Sequence, residues 1–302
     1  FMKWFELIRH KYGCETVMLH VPYQGDGKID PNMRNYVVKQ LKETVIPTLE
    51  RISGVKFDID RLRQYMKESQ KAEEDLVSVL QSAKHRPSPI DGYFGAVYYI
   101  GPIFTAFRGT PEASQYYSVL RREIEERVRL GKGPITPDGE MGEEKYRLVT
   151  EGPPNWTSFR DFWKMFYDEG AVVVASTYSK VGGLYDFGFR HDADHPLESL
   201  ADYCLGCYTN LNLPSRIDMI CKYIDEYQAD GLLINSIKSC NSFSAGQLLI
   251  LREVEKRTGK PAAFIETDLV DPRYFSAANV KNRLESYFQM VKQKRGAVAA
   301  AH

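Results

Sequence analysis

In the second half of the chain, four short apolar runs each precede a segment with helical periodicity or a longer loop. "YRLVTEG" (146–152) precedes "TSFRDFWKMFYDEG", and "AVVVAST" (171–177) precedes a glycine-rich loop and a longer excursion. "GLLINSI" (231–237) precedes "SAGQLLILREVEKRTG", and "AAFIETD" (262–268) precedes "SAANVKNRLESYFQMVKQ". Runs this short and this uniformly apolar suit strands covered on both faces, and their alternation with helices predicts a parallel α/β sheet.

The first half is patterned differently. "PNMRNYVVKQLKETVIPTLERISG" (31–54) predicts a helix opened by Pro31, stopped by Gly54 and kinked at Pro47. A second long helix is predicted to start from an Asp58 cap, and helical periodicity returns across 110–131. "TVMLHVP" (16–22) predicts a buried strand before the turn "YQGDG". The polar, turn-rich "KGPITPDGEMG" (132–142) divides the chain into an amino-terminal part, 1–137, and a carboxy-terminal part, 138–302. The chain opens on Phe1 straight into a helical pattern, which leads us to expect further sequence upstream and an incomplete first domain.

Composition narrows the function classes. Forty basic residues balance forty acidic ones, so no charge excess argues for nucleic acid or an anionic membrane surface. The longest uncharged stretch, Gly92–Phe107, has 16 residues interrupted by Gly101-Pro102. A membrane span needs about 20, so a helix pair or pocket wall is expected there instead. No signal-like start is present, and five scattered cysteines suit a reducing cytoplasm.

Parallel sheets bind ligands beyond the carboxyl ends of their strands, which directs attention to the loops after the four runs. Cys240 stands just past the third run, ahead of a helix that Ser242 or Ser244 is placed to cap. Such a position stabilises a thiolate, and soft thiolates select iron–sulfur clusters or zinc; a small residue filling a tight turn is the other reading. Cys204-x-x-Cys207 is a weak metal or redox signal, Cys221 falls on an apolar helical stripe, and Cys14 reads as structural. In "STYSKVGGLYDFGF", Tyr178, Lys180 and Tyr185 flank the paired Gly182 and Gly183, offering an apolar wall and proton donors. Glu266 and Asp268 end the fourth run, and Asp271 reads as a cap. No Walker-type phosphate loop occurs, so direct ATP binding is not expected.

"DGLLINSIKSCNSFSAGQ", "REVEKRTGKPAAFIETDLVDPR" and "PPNWTSFRDFWKMFYDEGAVVVASTYSKVGGLYDFGFRHD" together resemble the 2-hydroxyacyl-CoA dehydratase and benzoyl-CoA reductase family, the last block being most similar to its benzoyl-CoA reductase branch. The resemblance implies two Rossmann- or flavodoxin-like α/β domains with long helices, and a [4Fe–4S] cluster held by three cysteines. Cys240 matches the last of these; the other two are expected upstream, because Cys14, Cys204, Cys207 and Cys221 do not match them by context. The implied activity is delivery of low-potential electrons to an aromatic acyl-CoA thioester, or, in the dehydratase branch, radical dehydration of a 2-hydroxyacyl-CoA. A non-catalytic electron-relay subunit is a further possibility. The implied partners are a related cluster-bearing subunit and an activating ATPase that alone handles ATP. Tyr178, Lys180 and Tyr185 are the candidate substrate wall and proton donors.

Overall fold

The computed structural model describes residues 2–25, 27–92, 107–136, 138–140, 143–178 and 184–300. The stretch 93–106, read above as a helix pair or pocket wall, lies outside them, as do Lys180, Gly182 and Gly183.

Among the described residues, the regular elements before the turn-rich segment are helices: α1 (Met2–Tyr12), α2 (Pro31–Gln40), α3 (Ile46–Ser53), α4 (Ile59–Gln81) and α5 (Pro111–Arg129). A wider helical turn, Leu41–Val45, joins α2 to α3 just before Pro47. Pro47 has no N–H to give the ladder, and the wide turn absorbs that break. Gly54 ends α3 at φ +71, its N–H donating to the Glu50 carbonyl at 2.9 Å. Asp58 caps α4 as predicted, accepting from the N–H of Asp60 at 2.8 Å and of Arg61 at 3.2 Å. The strand expected at 16–22 is not formed. Those residues run without ladder partners, and only Gln24 beyond them bridges to Leu211.

A small antiparallel ribbon, β1 (Ile135–Thr136) with β2 (Gly139–Glu140), precedes the sheet. The four apolar runs become β3 (Tyr146–Glu151), β4 (Ala171–Ser176), β5 (Gly231–Ile237) and β6 (Ala262–Thr267). They form one parallel sheet in the order β4-β3-β5-β6. The intervening helices are α6 (Phe159–Asp168), α7 (Pro196–Leu205), α8 (Leu213–Glu226), the single turn α9 (Asn241–Ser244), α10 (Gln247–Thr258) and α11 (Ala277–Ala300).

Alternate side chains of each strand feed two separate cores, the arrangement that the period of two requires. On one face Leu148, Val173, Leu233 and Ile265 pack with Phe162, Trp163 and Phe166 of α6 and Leu284 and Phe288 of α11. On the other, Val149, Val172, Val174, Leu232 and Ile234 pack with α8, α10 and the α4–α5 pair, through Leu76, Leu80, Tyr117 and Ile124. Residues on both sides of position 137 therefore share one core. The edge strand β4 is closed at Val173, whose N–H donates to the Asp91 carboxylate at 2.9 Å and whose carbonyl accepts from Gly92 N–H at 2.7 Å. Among the described residues no helix is long and apolar enough to cross a membrane.

The order places β3 and β5 side by side while their following chains diverge, β3 feeding β4 on one side and β5 feeding β6 on the other. That divergence opens a crevice at the carboxyl ends, where this class of sheet binds ligands.

Candidate functional site at the carboxyl edge of the sheet

Glu151 ends β3 and Cys240 follows β5, so both stand at the carboxyl edge of the sheet, Glu151 fully buried there. Cys240 is half-buried, and its chain is held by main-chain bonds: its N–H donates to Ile237 at 3.2 Å, and its carbonyl accepts from Phe243 and Ser244 N–H at 3.1 and 3.0 Å. The serine cap expected for the following helix is not made. Ser244 turns its hydroxyl back to the Cys240 carbonyl at 3.1 Å, and Gly246 leads into α10 without a side-chain cap.

Beneath this turn lies a buried polar network. The Glu151 carboxylate accepts from Arg216 at 3.0 Å, from the Tyr208 hydroxyl at 3.1 Å and from the Gln247 amide. Arg216, from α8, also donates to the carbonyls of Phe243 at 3.2 Å, Ala245 at 3.4 Å and Ser242 at 3.5 Å, and stacks over the Tyr208 ring at 4.6 Å. One guanidinium thus neutralises a buried carboxylate and pins the turn that carries Cys240. Burial pushes the Glu151 carboxyl above its ordinary range, with Arg216 pulling it back. For Arg216, burial opposes the charge, but Tyr208 and Glu151 more than restore it.

The turn is tied laterally as well. Asp268, after β6, accepts from Ser239 N–H at 2.9 Å and from Val270 and Asp271 N–H at 3.0 Å each. Burial alone would raise this carboxyl, but those donors hold it below its usual value. Within the sheet, the buried Asn235 donates to the Pro153 carbonyl at 2.7 Å and accepts from Thr267 at 2.8 Å, linking the exits of β3, β5 and β6. Asp271 caps as predicted, accepting from Arg273 N–H at 3.0 Å.

The crevice has an aromatic side. Tyr178, after β4, is half-buried and lies 6.4 Å from both Trp156 and Phe243, ring to ring. Burial raises its phenol. Phe243 stacks in turn on Tyr208 at 5.9 Å. Tyr178 thus meets the ring of Phe243, whose main-chain N–H is bonded to the Cys240 carbonyl.

Tyr185 sits elsewhere. It is 2% exposed, its hydroxyl accepts from Arg108 at 2.7 Å and lies 3.4 Å from Glu73, and burial pushes its phenol far up. The same group includes His191, whose ring meets the Glu73 carboxylate and whose N–H donates to it at 3.0 Å, and Tyr203 beneath the Arg108 guanidinium at 4.8 Å.

The other cysteines separate by role. Cys221 is buried on the α8 stripe as predicted, Cys204 and Cys207 are half-buried free thiols, and Cys14 is exposed rather than packed. Among the described residues, no three His, Cys, Asp or Glu side chains gather closely enough to hold a metal ion. Cys240 fits as a single thiolate ligand, accessible at a strand end. The described residues do not complete a ligand set around it.

Sequence reasoning missed Glu151, Arg216, Tyr208 and Gln247. Only the strand-end position of Glu151 hinted at the network.

Residues 1–291 match the family model described as 2-hydroxyglutaryl-CoA dehydratase, D-component. The chain belongs to this family. Among its relatives is a benzoyl-CoA reductase subunit of Thauera aromatica, 77% identical over 301 residues, a match that covers 100% of this chain and 70% of that protein. The chain is 25% identical over 300 residues to the (R)-phenyllactyl-CoA dehydratase alpha subunit of Clostridium sporogenes, covering 98% of this chain and 69% of that protein. Identity to the (R)-2-hydroxyisocaproyl-CoA dehydratase alpha subunit of Clostridioides difficile is 28% over 297 residues, covering 97% and 69% respectively.

Proposed function

We propose that this chain is part of a cluster-bearing subunit of an aromatic acyl-CoA reductase of the benzoyl-CoA type. The 77% identity to the Thauera aromatica protein carries this reading over a 2-hydroxyacyl-CoA dehydratase, whose subunits match at 23–28%. The half-buried thiol of Cys240 at the sheet crevice supports it independently.

In this reading the Cys240 thiolate is one ligand of a [4Fe–4S] cluster, with the remaining ligands outside the described residues. When bound, the cluster supplies single electrons at low potential. Everything else is the work of this chain's side chains. Arg216 and Asp268 fix the turn that presents the sulfur. Trp156, Tyr178 and Phe243 form an apolar wall that keeps water from a strongly reducing site. Tyr178 keeps its proton, because burial raises its phenol, and its hydroxyl is offered to the thioester carbonyl oxygen as that atom gains negative charge. Lys180, two positions further along the sequence, is proposed as a second proton donor. Tyr185 is assigned to hydrogen bonding within the Arg108–His191–Glu73 group rather than to the substrate wall. The proposed partners are a related cluster-bearing subunit and an activating ATPase, in a reducing cytoplasm.

The test is Cys240→Ser in the assembled, anaerobically purified enzyme, measured by iron and sulfide content, electron paramagnetic resonance and turnover. Loss of the cluster signal together with loss of benzoyl-CoA reduction is expected. Unchanged iron and turnover would overturn the assignment, and turnover of a 2-hydroxyacyl-CoA in place of benzoyl-CoA would move the protein to the dehydratase branch.

A further inference from the structure

A second concavity opens at the carboxyl end of β6, between that strand, the 272–274 turn and the start of α11. Its volume is about 260 Å³, and its lining includes Lys238, Glu266, Arg273, Tyr274, Asn279 and Arg283. Three cations therefore face one carboxylate in the lining. Asp271 outside it engages Arg273 at 2.9 and 3.1 Å, so three positive charges against two negative leave one uncompensated.

The cations have neighbours at the recess. Arg283 donates from one nitrogen to the Phe264 carbonyl at 3.0 Å. Lys238 lies 5.2 Å from the Tyr274 ring centre and 3.9 Å from Glu266. Tyr274 itself is half-exposed beside the cavity. The space is smaller than the roughly 300–1,000 Å³ of a cleft that engulfs a whole drug-sized ligand. It suits a phosphate group or two, with a flat ring left to stack on Tyr274 outside. Lys238 is two residues from Cys240, so cavity and thiol share one edge of the sheet.

Resting on the acyl-CoA reading above, we propose that this recess binds the phosphates of the nucleotide tail of the substrate, with Tyr274 as the platform for its adenine. Arg283 and Lys238 give the phosphates their donors, and Glu266 weakens the site by like-charge repulsion.

Binding of CoA and of inorganic pyrophosphate to the assembled, cluster-loaded enzyme, followed by anaerobic titration calorimetry, tests this. In the unaltered enzyme pyrophosphate competes with CoA. Arg283→Ala and Lys238→Ala each weaken CoA about tenfold, as expected for loss of one charge-assisted contact, with iron content unchanged. Glu266→Gln has the opposite sign and tightens CoA, which loss of packing would not do. CoA affinity unaltered in the Arg283→Ala/Lys238→Ala double variant overturns the recess while leaving the proposed function standing. Failure of the unaltered enzyme to bind CoA at all overturns both.

Discussion

Replacing Arg216 by Met probes the site from below. The side chain keeps its approximate length and loses its charge. Its partner Glu151 is fully buried 3.0 Å away, and three carbonyls of the 242–245 turn lose their donor. Removing one member of a buried ion pair costs about 3–5 kcal/mol, because the other charge is left in a medium that solvates it poorly. Glu151 has one escape, which is to take up a proton. Its carboxyl is already raised by burial, and loss of Arg216 raises it further. A carboxyl raised on folding binds its proton more tightly in the folded state. Its contribution is therefore complete below the unfolded value, about 4.3, and is lost as pH rises through the folded value. The gap between variant and parent should widen as pH rises above the unfolded value, by as much as about 1.4 kcal/mol per pH unit within the window separating the two folded values. Thermal unfolding at pH 5, 6.5 and 8 reads the gap, and amide exchange across 239–246 reads the freed turn. A penalty below about 1 kcal/mol, or one that does not grow with pH, would show that Arg216 does not compensate Glu151.

Other perturbations follow from the same geometry. Asp268→Asn weakens the clamp on Ser239 and speeds exchange of its amide. In the parent, the depressed Asp268 carboxyl contributes stability above its unfolded value near 3.9 that is lost as pH falls through the lower folded value, so the clamp loosens only in acid. Gly152→Ala forces a side chain into φ +98 and sets its Cβ 2.2 Å from the Asn235 carbonyl oxygen. The conformation alone costs about 1–3 kcal/mol, so chemical denaturation should show a larger loss than that. Tyr178→Phe preserves the wall and removes the hydroxyl, so kcat should fall with KM nearly unchanged. Tyr178→Ala should raise KM as well, and steady-state kinetics under anoxia separate the two.

What the sequence disclosed follows from burial. The strands at 146–151, 171–176, 231–237 and 262–267 were legible because both faces are covered, so nearly every residue is apolar or small. "TVMLHVP" has the same composition and forms no ladder, because a strand needs a neighbour and composition does not supply one. The Cys240 turn was legible as a strand end. Its support was not: Glu151 and Arg216 are 65 residues apart, and no local pattern pairs them. The Glu73–His191 pair, 118 residues apart, was hidden for the same reason. Charge pairing across that distance is a product of topology, and local pattern carries no trace of it.

Asp91 and Gly92 have one more effect. By occupying both main-chain groups of Val173 at the outer side of β4, they remove that position as a template for an incoming strand. A companion polypeptide approaching this flank finds no free main-chain group at Val173 to pair with. Sheet continuation between copies, a common route to runaway assembly, is blocked at that point by one carboxylate and one main-chain amide.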